Sequence, residues 1–371
     1  MKIVHLTSVH SRYDIRIFQK QCRTLSGAGY DVSLIVADGK GDECVDGVKI
    51  LDVGKPIGRL QRIFKTTRRI YQRAISLDCD VYQFHDPELL PIGVRLKRAG
   101  KVVVFDSHED VPKQLLSKPY LHPLIMRLIS FVFSIYERFA CRELDCIFAA
   151  TPFIRDKFMR MNSESVDINN FPMVGELDAA LPWDKKNNEV CYVGGIASIR
   201  GITEVVEAFA HTTEKVRLNL VGRFSESVVE QRVKKLSGWS SVNQLGQLER
   251  ADVKEVLSRS LAGLVTFHPL PNHVDAQPNK MFEYMSAGIP VIASDFPLWR
   301  QIIEGSNCGV LVDPMDPQSI SKAIDSLARD PELARTLGEN GRAAVSAKYN
   351  WDIESKKLLA CYKQLSNKVK K

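Results

Sequence analysis

The sequence predicts an α/β protein of two doubly wound domains, each with a parallel sheet between layers of helices. Three observations support this fold class. Short runs rich in β-branched residues alternate with segments of helical period along the whole chain. One stretch with two prolines and no clear period interrupts the alternation near the middle. The length of 371 residues suits two domains of ordinary size.

The predicted strands divide the chain into two domains. In the first half, β-branched runs lie at 2–9, 32–37, 48–53, 81–85, 102–106, 146–151 and 166–171. After the interruption they resume at 190–194, 218–221, 242–246, 264–268, 291–295 and 310–313. We therefore expect an N-terminal domain over 1–172, a linker over 173–188 and a C-terminal domain over 189–349. A terminal helix over 350–371 is expected because Trp351 and Tyr362 can share one face.

Composition and charge indicate the kind of partner and the cellular compartment to expect. Lysine and arginine total 51 against 44 acids, a formal net charge of +7, which favours an anionic partner. The eight cysteines are scattered without a CxxC pair, which indicates a reduced, cytoplasmic protein rather than a disulfide framework or zinc site. The longest apolar stretch, 124–136, is shorter than the ~20 residues of a spanning helix. The N-terminus lacks the apolar core of a signal peptide, so we do not expect export.

The most informative segment is 275–295, which reads DAQPNKMFEYMSAGIPVIASD and follows a predicted strand. Pro278 suits the first turn of a helix. Asn279 and Lys280 then lie in that turn, where free backbone N–H groups and the helix dipole attract a phosphate. Glu283 lies less than one turn further along the same face, where a carboxylate can accept hydrogen bonds from both hydroxyls of a ribose. The alternative is a surface helix on which Glu283 is merely solvated.

An acid at 275, seven residues, Glu283 and a small-Gly-x-Pro-Val turn resemble the EX7E signature of retaining GT-B glycosyltransferases of family 4 (glycosyl transferases group 1). Asp275 stands where the signature has a glutamate. The form KMFEYMSAGIPVIASDFP is similar to that of bacterial O-antigen and capsule sugar transferases. The resemblance covers nearly the whole chain, because further counterparts lie in the same order at 85–90, 106–110, 192–195, 308–314 and 349–351.

The resemblance implies the GT-B architecture, in which two Rossmann-like domains face a central cleft and the C-terminal helix returns to the N-terminal domain. It implies retaining transfer of a hexosyl or N-acetylhexosaminyl group from a nucleotide diphosphate sugar, with UDP expected. Nothing in the sequence suggests a dedicated metal site, so we expect no metal or other cofactor. Asp275 would lie near the transferred sugar, and Glu283 would hold the ribose. The backbone amides of Asn279 and Lys280 would cradle the diphosphate. The expected acceptor is a saccharide or a polyprenyl-diphosphate-linked saccharide of lipopolysaccharide or capsule synthesis.

A basic pair usually contacts the diphosphate in this family, from a Gly-Arg-x4-Lys-Gly pattern. The matching segment begins at Gly194 and reads GGIASIRG, with Gly195 at the position of the arginine and Arg200 at that of the lysine. Half of the pair is missing, and we expect Lys280 or Arg223 to substitute for it. Arg200 and Lys280 would stabilise charge on the departing diphosphate.

The N-terminal domain offers histidines where predicted strands end, the edge at which parallel sheets bind ligands. His108 follows one strand, and the matching histidine of the family touches the donor sugar or its reaction centre. His85 ends another strand in the same way. The first βα loop adds His10, Asp14 and Arg16 as acceptor-site candidates, the last two resembling an Asp-x-Arg pattern of the subgroup. A hydrogen-bonded loop role for His108 and a capping role for Asp14 are the alternatives.

The segment 54–74 has seven cations and no acid, with apolar residues at helical spacing, and predicts a basic amphipathic helix. We expect its apolar side, including Leu60 and Phe64, to pack on the sheet. The opposite side would attract an anionic membrane at ~1 kcal/mol per cation, making the cytoplasmic protein peripheral on the inner membrane face. No nucleic-acid motif accompanies the charge, so nucleic acid is not an expected partner. Five of the seven cations recur at spacings of three or four and are the ones expected to meet the membrane: Arg59, Arg62, Lys65, Arg69 and Arg73.

Two other functions remain open from the sequence. A GT-B sugar-nucleotide epimerase would keep the nucleotide site without a lipid acceptor, and the basic segment argues against it. A glycosyltransferase-like binding subunit without activity is favoured by the glycine at 195.

Overall fold

The protein, seen in a computed structural model, is described over residues 1–116, 123–177 and 181–369. The chain forms two compact units. Unit 1 comprises Met1–Asn170 together with Trp351–Lys371, and unit 2 comprises Phe171–Asn350. Each unit has its own sheet of mainly parallel strands flanked by helices, which confirms the predicted fold class of two doubly wound, Rossmann-like domains.

The sheet of unit 1 has the strand order β3-β4-β2-β1-β5-β6-β7-β8. Its strands are β1 (Lys2–Leu6), β2 (Asp31–Val36), β3 (Glu43–Val45), β4 (Val48–Asp52), β5 (Val81–Phe84), β6 (Val102–Ser107), β7 (Cys146–Ala149) and β8 (Ser165–Asp167). Neighbouring strands are parallel except β3 and β4, which form an antiparallel hairpin. Asp46 and Gly47 make its turn with positive φ angles of 51° and 76°.

The described helices of unit 1 before residue 171 connect the strands of this sheet. A π-type helix, Ile15–Cys22, precedes α1 (Arg23–Gly27), and a π-type turn, Arg62–Thr66, joins α2 (Gly58–Gln61) to α3 (Thr67–Ser76). The others are α4 (Leu90–Arg98), α5 (Val111–Leu116), α6 (Pro123–Glu143) and α7 (Pro152–Met159). Ile70 of α3, Leu90 of α4 and Ala140 of α6 share one apolar cluster, so these three helices cover the same face.

The sheet of unit 2 is wholly parallel, with the order β11-β10-β9-β12-β13-β14. Its strands are β9 (Glu189–Val193), β10 (Arg217–Val221), β11 (Val242–Gly246), β12 (Ala262–Val265), β13 (Val291–Ser294) and β14 (Gly309–Val312). Its helices are α8 (Ile202–Ala208), α9 (Ser227–Val233), α10 (Arg250–Arg259), α11 (Asn279–Ser286), α12 (Pro297–Ser306), α13 (Pro317–Arg329) and α14 (Pro331–Ala347). This order reverses beside β9, where doubly wound sheets bind ligands.

The C-terminal helix α15 (Trp351–Val369) belongs to unit 1, as the predicted architecture requires. Nε1 of Trp351 donates a hydrogen bond to Oγ1 of Thr24 at 3.0 Å. The hydroxyl of Tyr362, which is fully buried, donates to Oε1 of Gln83 at 2.5 Å. Within the described ranges, no helix is long and apolar enough to cross a bilayer.

The basic segment departs from its prediction in its first half. Ile70 and Ala74 are fully buried, but Leu60 and Phe64 are 74% and 71% exposed. The expectation that the whole apolar side packs on the sheet is therefore wrong. The π-type turn Arg62–Thr66 holds more residues per turn than an α-helix, which puts the residues before it out of phase with α3.

Three of the five predicted membrane cations are engaged inside unit 1, including Arg69, whose Nη1 donates to the carbonyl oxygen of Val53 at 3.4 Å. Nε of Arg62 lies 2.9 Å from Oε1 of Glu88, and Nη2 of Arg73 lies 2.7 Å from Oδ2 of Asp42. The side chain of Arg62 is also partly buried. The outward charge of the segment is therefore smaller than its count of cations indicates.

Candidate active site

Lys280 is a buried cation at the start of α11. It lies in the first turn after Pro278, where backbone N–H groups lack intrahelical partners. Its Nζ lies 3.7 Å from the ring centroid of Tyr192 and 5.6 Å from that of Phe267. Among the residues that the structure describes, this Nζ has no hydrogen-bond partner. Burial lowers the pKa of Lys280 to about 7, and the charge of Arg200 acts in the same direction.

Arg200 approaches the same region from the loop after β9. Gly194 begins that loop with a φ of 116°, and a Cβ there would stand 3.5 Å from Nζ of Lys280. Nη1 of Arg200 donates to the carbonyl oxygen of Gly195 at 3.1 Å. The guanidinium carbon lies 5.5 Å from the ring centroid of Phe267. The structure therefore brings both predicted cations to one aromatic ring, next to the two glycines.

Arg223 contributes to this region through its backbone. Its carbonyl oxygen accepts a hydrogen bond from the N–H of Ile196 at 3.0 Å, which ties the loop after β10 to the loop after β9. Its side chain is exposed. Of the two residues expected to replace the missing arginine, Lys280 is the one whose charge acts on Arg200.

Glu283 faces an arginine that sequence reasoning missed. Nη1 of Arg250, at the start of α10, lies 2.8 Å from Oε1 of Glu283. Nε of the same arginine donates to Oε1 of Glu176 at 2.6 Å. Asp275 is half-buried in the loop before α11, and Asn279 is exposed at the start of that helix. No local signal could have paired Arg250 with Glu283, because the contact joins two separate helices.

Two histidines in the loop after β12 also border this region and were not among the candidates. The ring of His273 lies 4.9 Å from that of Phe267, and its Nδ1 lies 3.0 Å from the carbonyl oxygen of His268. Nε2 of His268 lies 3.0 Å from Oε2 of Glu204 in α8. Burial lowers the pKa of His273. Both histidines lie at or just after the end of the predicted strand 264–268, and this position in the sequence could have marked them as candidates.

Asp106 is the buried centre of a polar cluster at the end of β6 in unit 1. Nε and Nη2 of Arg16 donate to its two oxygens at 3.0 and 2.6 Å. Nδ1 of His85 and Nε2 of His108 lie 3.0 and 3.1 Å from Oδ2. Burial alone would raise the pKa of Asp106, but Arg16 and the histidines outweigh it and hold that pKa well below its usual range. The ionised carboxylate thus joins three of the predicted candidates, and Arg16 is buried against it.

His108 is the most exposed member of that cluster, and the loop candidates lie beside it. Its ring centroid is 4.8 Å from that of His10, whose Nδ1 lies 3.2 Å from Oδ2 of Asp14. Burial opposes the charged form of His10, but Asp14 and neighbouring acids raise its pKa above the usual value. Oδ1 of Asp14 accepts from two backbone N–H groups of the helix that begins at Ile15, so Asp14 does cap that helix.

Behind His85 the polar cluster reaches the C-terminal helix. Nε2 of His85 lies 3.0 Å from Nδ1 of His5, and Nε2 of His5 lies 3.4 Å from the hydroxyl of Tyr362. That hydroxyl donates to Gln83, which donates to Gln21 at 2.5 Å. Gln21 in turn donates to the central carboxylate at 2.7 Å, which closes a ring of contacts. Burial lowers the pKa of both His5 and His85.

The described residues include one group whose geometry could hold a metal ion, namely His85, Asp106 and His108, with ligand atoms within 4.8 Å of one another. Arg16 already occupies both oxygens of Asp106, and its charge opposes a bound cation. The arrangement suits an internal hydrogen-bond network that orients His108, and we assign no metal to it.

Comparison with known families identifies both units. Residues 16–168 match Glycosyltransferase Family 4, and residues 174–344 match Glycosyl transferases group 1. The phosphatidyl-myo-inositol mannosyltransferase of Mycobacterium leprae is 24% identical over 362 residues, which are 94% of this chain and 89% of that protein.

Two further relatives match over shorter stretches. The human α-1,3/1,6-mannosyltransferase ALG2 is 25% identical over 290 residues, 69% of this chain and 66% of that protein. The α-D-kanosaminyltransferase of Streptomyces kanamyceticus is 25% identical over 180 residues, 47% of this chain and 45% of that protein. The chain therefore spans less than two thirds of the length of these two relatives.

Solved structures share the fold. Sucrose-phosphate synthase from Thermosynechococcus elongatus has a TM-score of 0.80 at 20% identity, with 99% of both chains covered. HepE from Anabaena, in complex with UDP and glucose, has a TM-score of 0.75 at 15% identity, covering 98% of this chain and 100% of that one. With a family 4 domain in unit 1 and a group 1 domain in unit 2, the chain belongs to the family 4/group 1 glycosyltransferases of GT-B fold.

Proposed function

We propose that the protein is a retaining glycosyltransferase that moves a sugar from a nucleotide diphosphate sugar to a saccharide or polyprenyl-diphosphate-linked acceptor. The observation that carries the proposal is the buried Nζ of Lys280, unpartnered among the described residues, at a helix start with Arg200 nearby. A buried amine without a hydrogen-bond partner is unfavourable, although the ring of Tyr192 lies close to it. A diphosphate would pair with both cations and with the free N–H groups of α11.

The nucleoside would bind further along α11. Glu283 is the carboxylate proposed to accept the ribose hydroxyls, and Arg250 supports this role by fixing Oε1 of that carboxylate. Asp275, in the loop before the helix, is proposed to lie near the transferred sugar. UDP is the proposed nucleotide, and HepE, which shares the fold, was crystallised with it. Gly194 places its backbone close to the amine of Lys280, because a Cβ there would stand 3.5 Å from Nζ.

The proposed chemistry is stabilisation of the leaving group. As the anomeric carbon becomes oxocarbenium-like, the bond to the diphosphate breaks and negative charge grows on the departing oxygen. Arg200, Lys280 and the start of α11 would bind that charge more strongly in the transition state than in the ground state. The acceptor hydroxyl attacks the face that the diphosphate leaves, and its proton passes to the departing phosphate, so no separate strong base is needed. His108, oriented by Asp106, is proposed to contact the donor sugar.

An anionic membrane surface would present a lipid-linked acceptor. Arg59 and Lys65 of the basic segment are exposed and available for this attraction. Arg69 is exposed but donates a hydrogen bond to the carbonyl oxygen of Val53, and Arg62 and Arg73 are paired with acids of unit 1. We place the protein in the cytoplasm, peripheral on the inner face of the membrane. Its proposed pathway is bacterial surface polysaccharide synthesis of the O-antigen or capsule type, which the form of the 280–297 segment supports.

Incubation with a panel of UDP- and GDP-linked hexoses and N-acetylhexosamines tests the activity. Without its acceptor, a transferase of this kind should hydrolyse its donor slowly, and NMR reports the anomeric configuration of the first sugar released. Release with the donor's configuration supports retention, and release with the opposite configuration contradicts it.

Conversion of a sugar nucleotide to its epimer would identify an epimerase, and binding without turnover would identify an inactive subunit. Arg200→Ala should abolish the turnover that belongs to this site.

A further inference from the structure

Helix α6 turns an apolar face outward. Ser130, Glu137 and Ala140 are buried and mark the side of the helix that packs on unit 1. The opposite side carries large apolar residues that are each 50–63% exposed. These residues, named here the α6 apolar face, are Ile125, Leu128, Phe131, Val132, Ile135 and Phe139. A surface helix normally turns charged and polar residues outward, so this face indicates a partner.

The charges around the α6 apolar face are positive. Arg127, Arg138 and Arg142 are exposed along one flank of the helix. Glu137, the acid between residues 124 and 142, is buried, with Oε2 lying 2.6 Å from Nζ of Lys157. The outward side of this stretch therefore presents apolar groups and arginines without an opposing carboxylate.

A second exposed apolar group lies in the same layer of helices. Ile57, Leu60 and Phe64 are each more than 70% exposed, among the cations of the basic segment. Helices α3, α4 and α6 cover one face of the unit 1 sheet through a shared apolar cluster. Both exposed groups thus belong to the same side of unit 1, and cations accompany both.

We infer that the α6 apolar face inserts into the interfacial region of an anionic lipid bilayer, with the helix lying in the membrane plane. At 21 residues, α6 is ~31 Å long. An interfacial helix of this kind buries its apolar side ~5–10 Å deep, and arginines on its flank reach the lipid phosphates. This inference does not depend on sugar transfer. It differs from the electrostatic attraction proposed for the basic segment, because insertion of apolar groups resists salt.

Co-sedimentation with vesicles tests the inference on the full chain. The test variant is Leu128→Ser, Phe131→Ser and Ile135→Ser, which removes apolar area from exposed positions and should leave folding intact. The matched control is Val228→Ser and Met315→Ser in unit 2, where the side chains are also 75% and 50% exposed. Circular dichroism and the thermal midpoint verify that both variants fold like the wild type.

Wild type and control should bind phosphatidylcholine vesicles containing phosphatidylglycerol, and much of the binding should survive high salt. The α6 variant should bind roughly tenfold or more weakly, and its residual binding should be lost in high salt. Equal binding by wild type and the α6 variant would overturn the inference. So would a wild type that does not bind vesicles but forms a dimer that the α6 variant breaks, since the face would then cover a second copy.

A depth measurement separates insertion from surface attraction. In a Phe131→Trp variant, bromine atoms on the upper acyl chain should quench the new fluorescence beyond the quenching seen in the wild type. The control is Val228→Trp, which should show no added quenching. Equal added quenching in both variants, or none at residue 131 when the protein is bound, would contradict insertion.

Discussion

A Cβ placed on Gly195 would lie 2.8 Å from Nη1 of Arg200, so the two residues share one space. In the family pattern an arginine holds the first position and a lysine the second. Here the guanidinium from residue 200 reaches back to the carbonyl oxygen of residue 195. The space that a side chain at residue 195 would need is thus filled by the guanidinium of Arg200. A cation is therefore present at this place although residue 195 is a glycine, which argues against the interpretation of the protein as an inactive subunit.

Gly195→Ala should displace the Arg200 guanidinium and weaken UDP binding roughly tenfold, the equivalent of one charge-assisted hydrogen bond. The clash is with the far end of a flexible side chain, so the free energy of unfolding should change little. Gly305→Ala in α12 is the matched control, because a Cβ there meets nothing within 4 Å. Calorimetric titration with UDP measures the affinities. Wild-type affinity in Gly195→Ala would show that Arg200 does not hold phosphate in its present position.

Nucleotide binding should take up protons at Lys280. In the free protein burial lowers the pKa of Lys280 to about 7, and pairing with a diphosphate should raise it. UDP affinity should therefore fall as the pH rises through about 7 and above, because a growing share of the protein must first protonate this amine. Titrations in buffers of different ionisation enthalpy count the protons. Lys280→Arg is the control, because an arginine at this position stays charged at every pH tested. Any proton uptake that remains in this variant comes from groups other than residue 280, including the phosphate of UDP. Proton uptake that is the same in Lys280→Arg and wild type would contradict the assignment.

Glu283→Ala should weaken binding of both uridine and UDP, since a carboxylate on ribose hydroxyls contributes ~1.5–3 kcal/mol. Arg250→Ala should have a smaller effect of the same sign, because that arginine acts through the carboxylate. In the double variant, the loss should be close to that of Glu283→Ala alone. Strictly additive losses would mean that Arg250 touches the nucleotide itself, and unchanged affinity in Glu283→Ala would remove that residue from the site.

Tyr362→Phe should lower the free energy of unfolding by ~1–3 kcal/mol, because it leaves the buried Oε1 of Gln83 without its donor. Chemical denaturation measures the loss. Tyr71→Phe is the control: its ring is stacked by Arg95, with the guanidinium carbon 4.1 Å from the ring centroid, and the substitution keeps that ring. Equal stability of the two variants would show that the ring of contacts behind His85 contributes nothing to stability.

The sequence predicted what periodicity and local motifs encode. Strand and helix alternation gave the two parallel sheets, and Pro278 marked the start of α11 and hence the place of Lys280. The hairpin strand β3 was missed although Asp46-Gly47 is a recognisable turn, because the strand has only three residues. The outward position of Phe64 was missed because a π-type turn alters helical phase without any sequence signal that we could identify.

Contacts between distant segments were beyond sequence reasoning. The pairing of Arg250 with Glu283 and that of Tyr362 with Gln83 depend on how helices pack on the sheets. The segment around Asp106 matched a family motif, but its burial beneath Arg16 and two histidines required the fold. The sequence therefore proposed candidate residues one by one, and the structure supplied the contacts that each of them makes.

Comparison of UDP with uridine tests the central claim, that Lys280 and Arg200 hold a diphosphate. Lys280→Ala and Arg200→Ala should each lower the affinity for UDP roughly tenfold or more while leaving the affinity for uridine unchanged, because only UDP carries the phosphates. Lys234→Ala, which removes a surface cation paired with Glu230, should match the wild type for both ligands. If both site variants bind UDP as tightly as the wild type does, the buried cations do not form the phosphate site and the account is wrong.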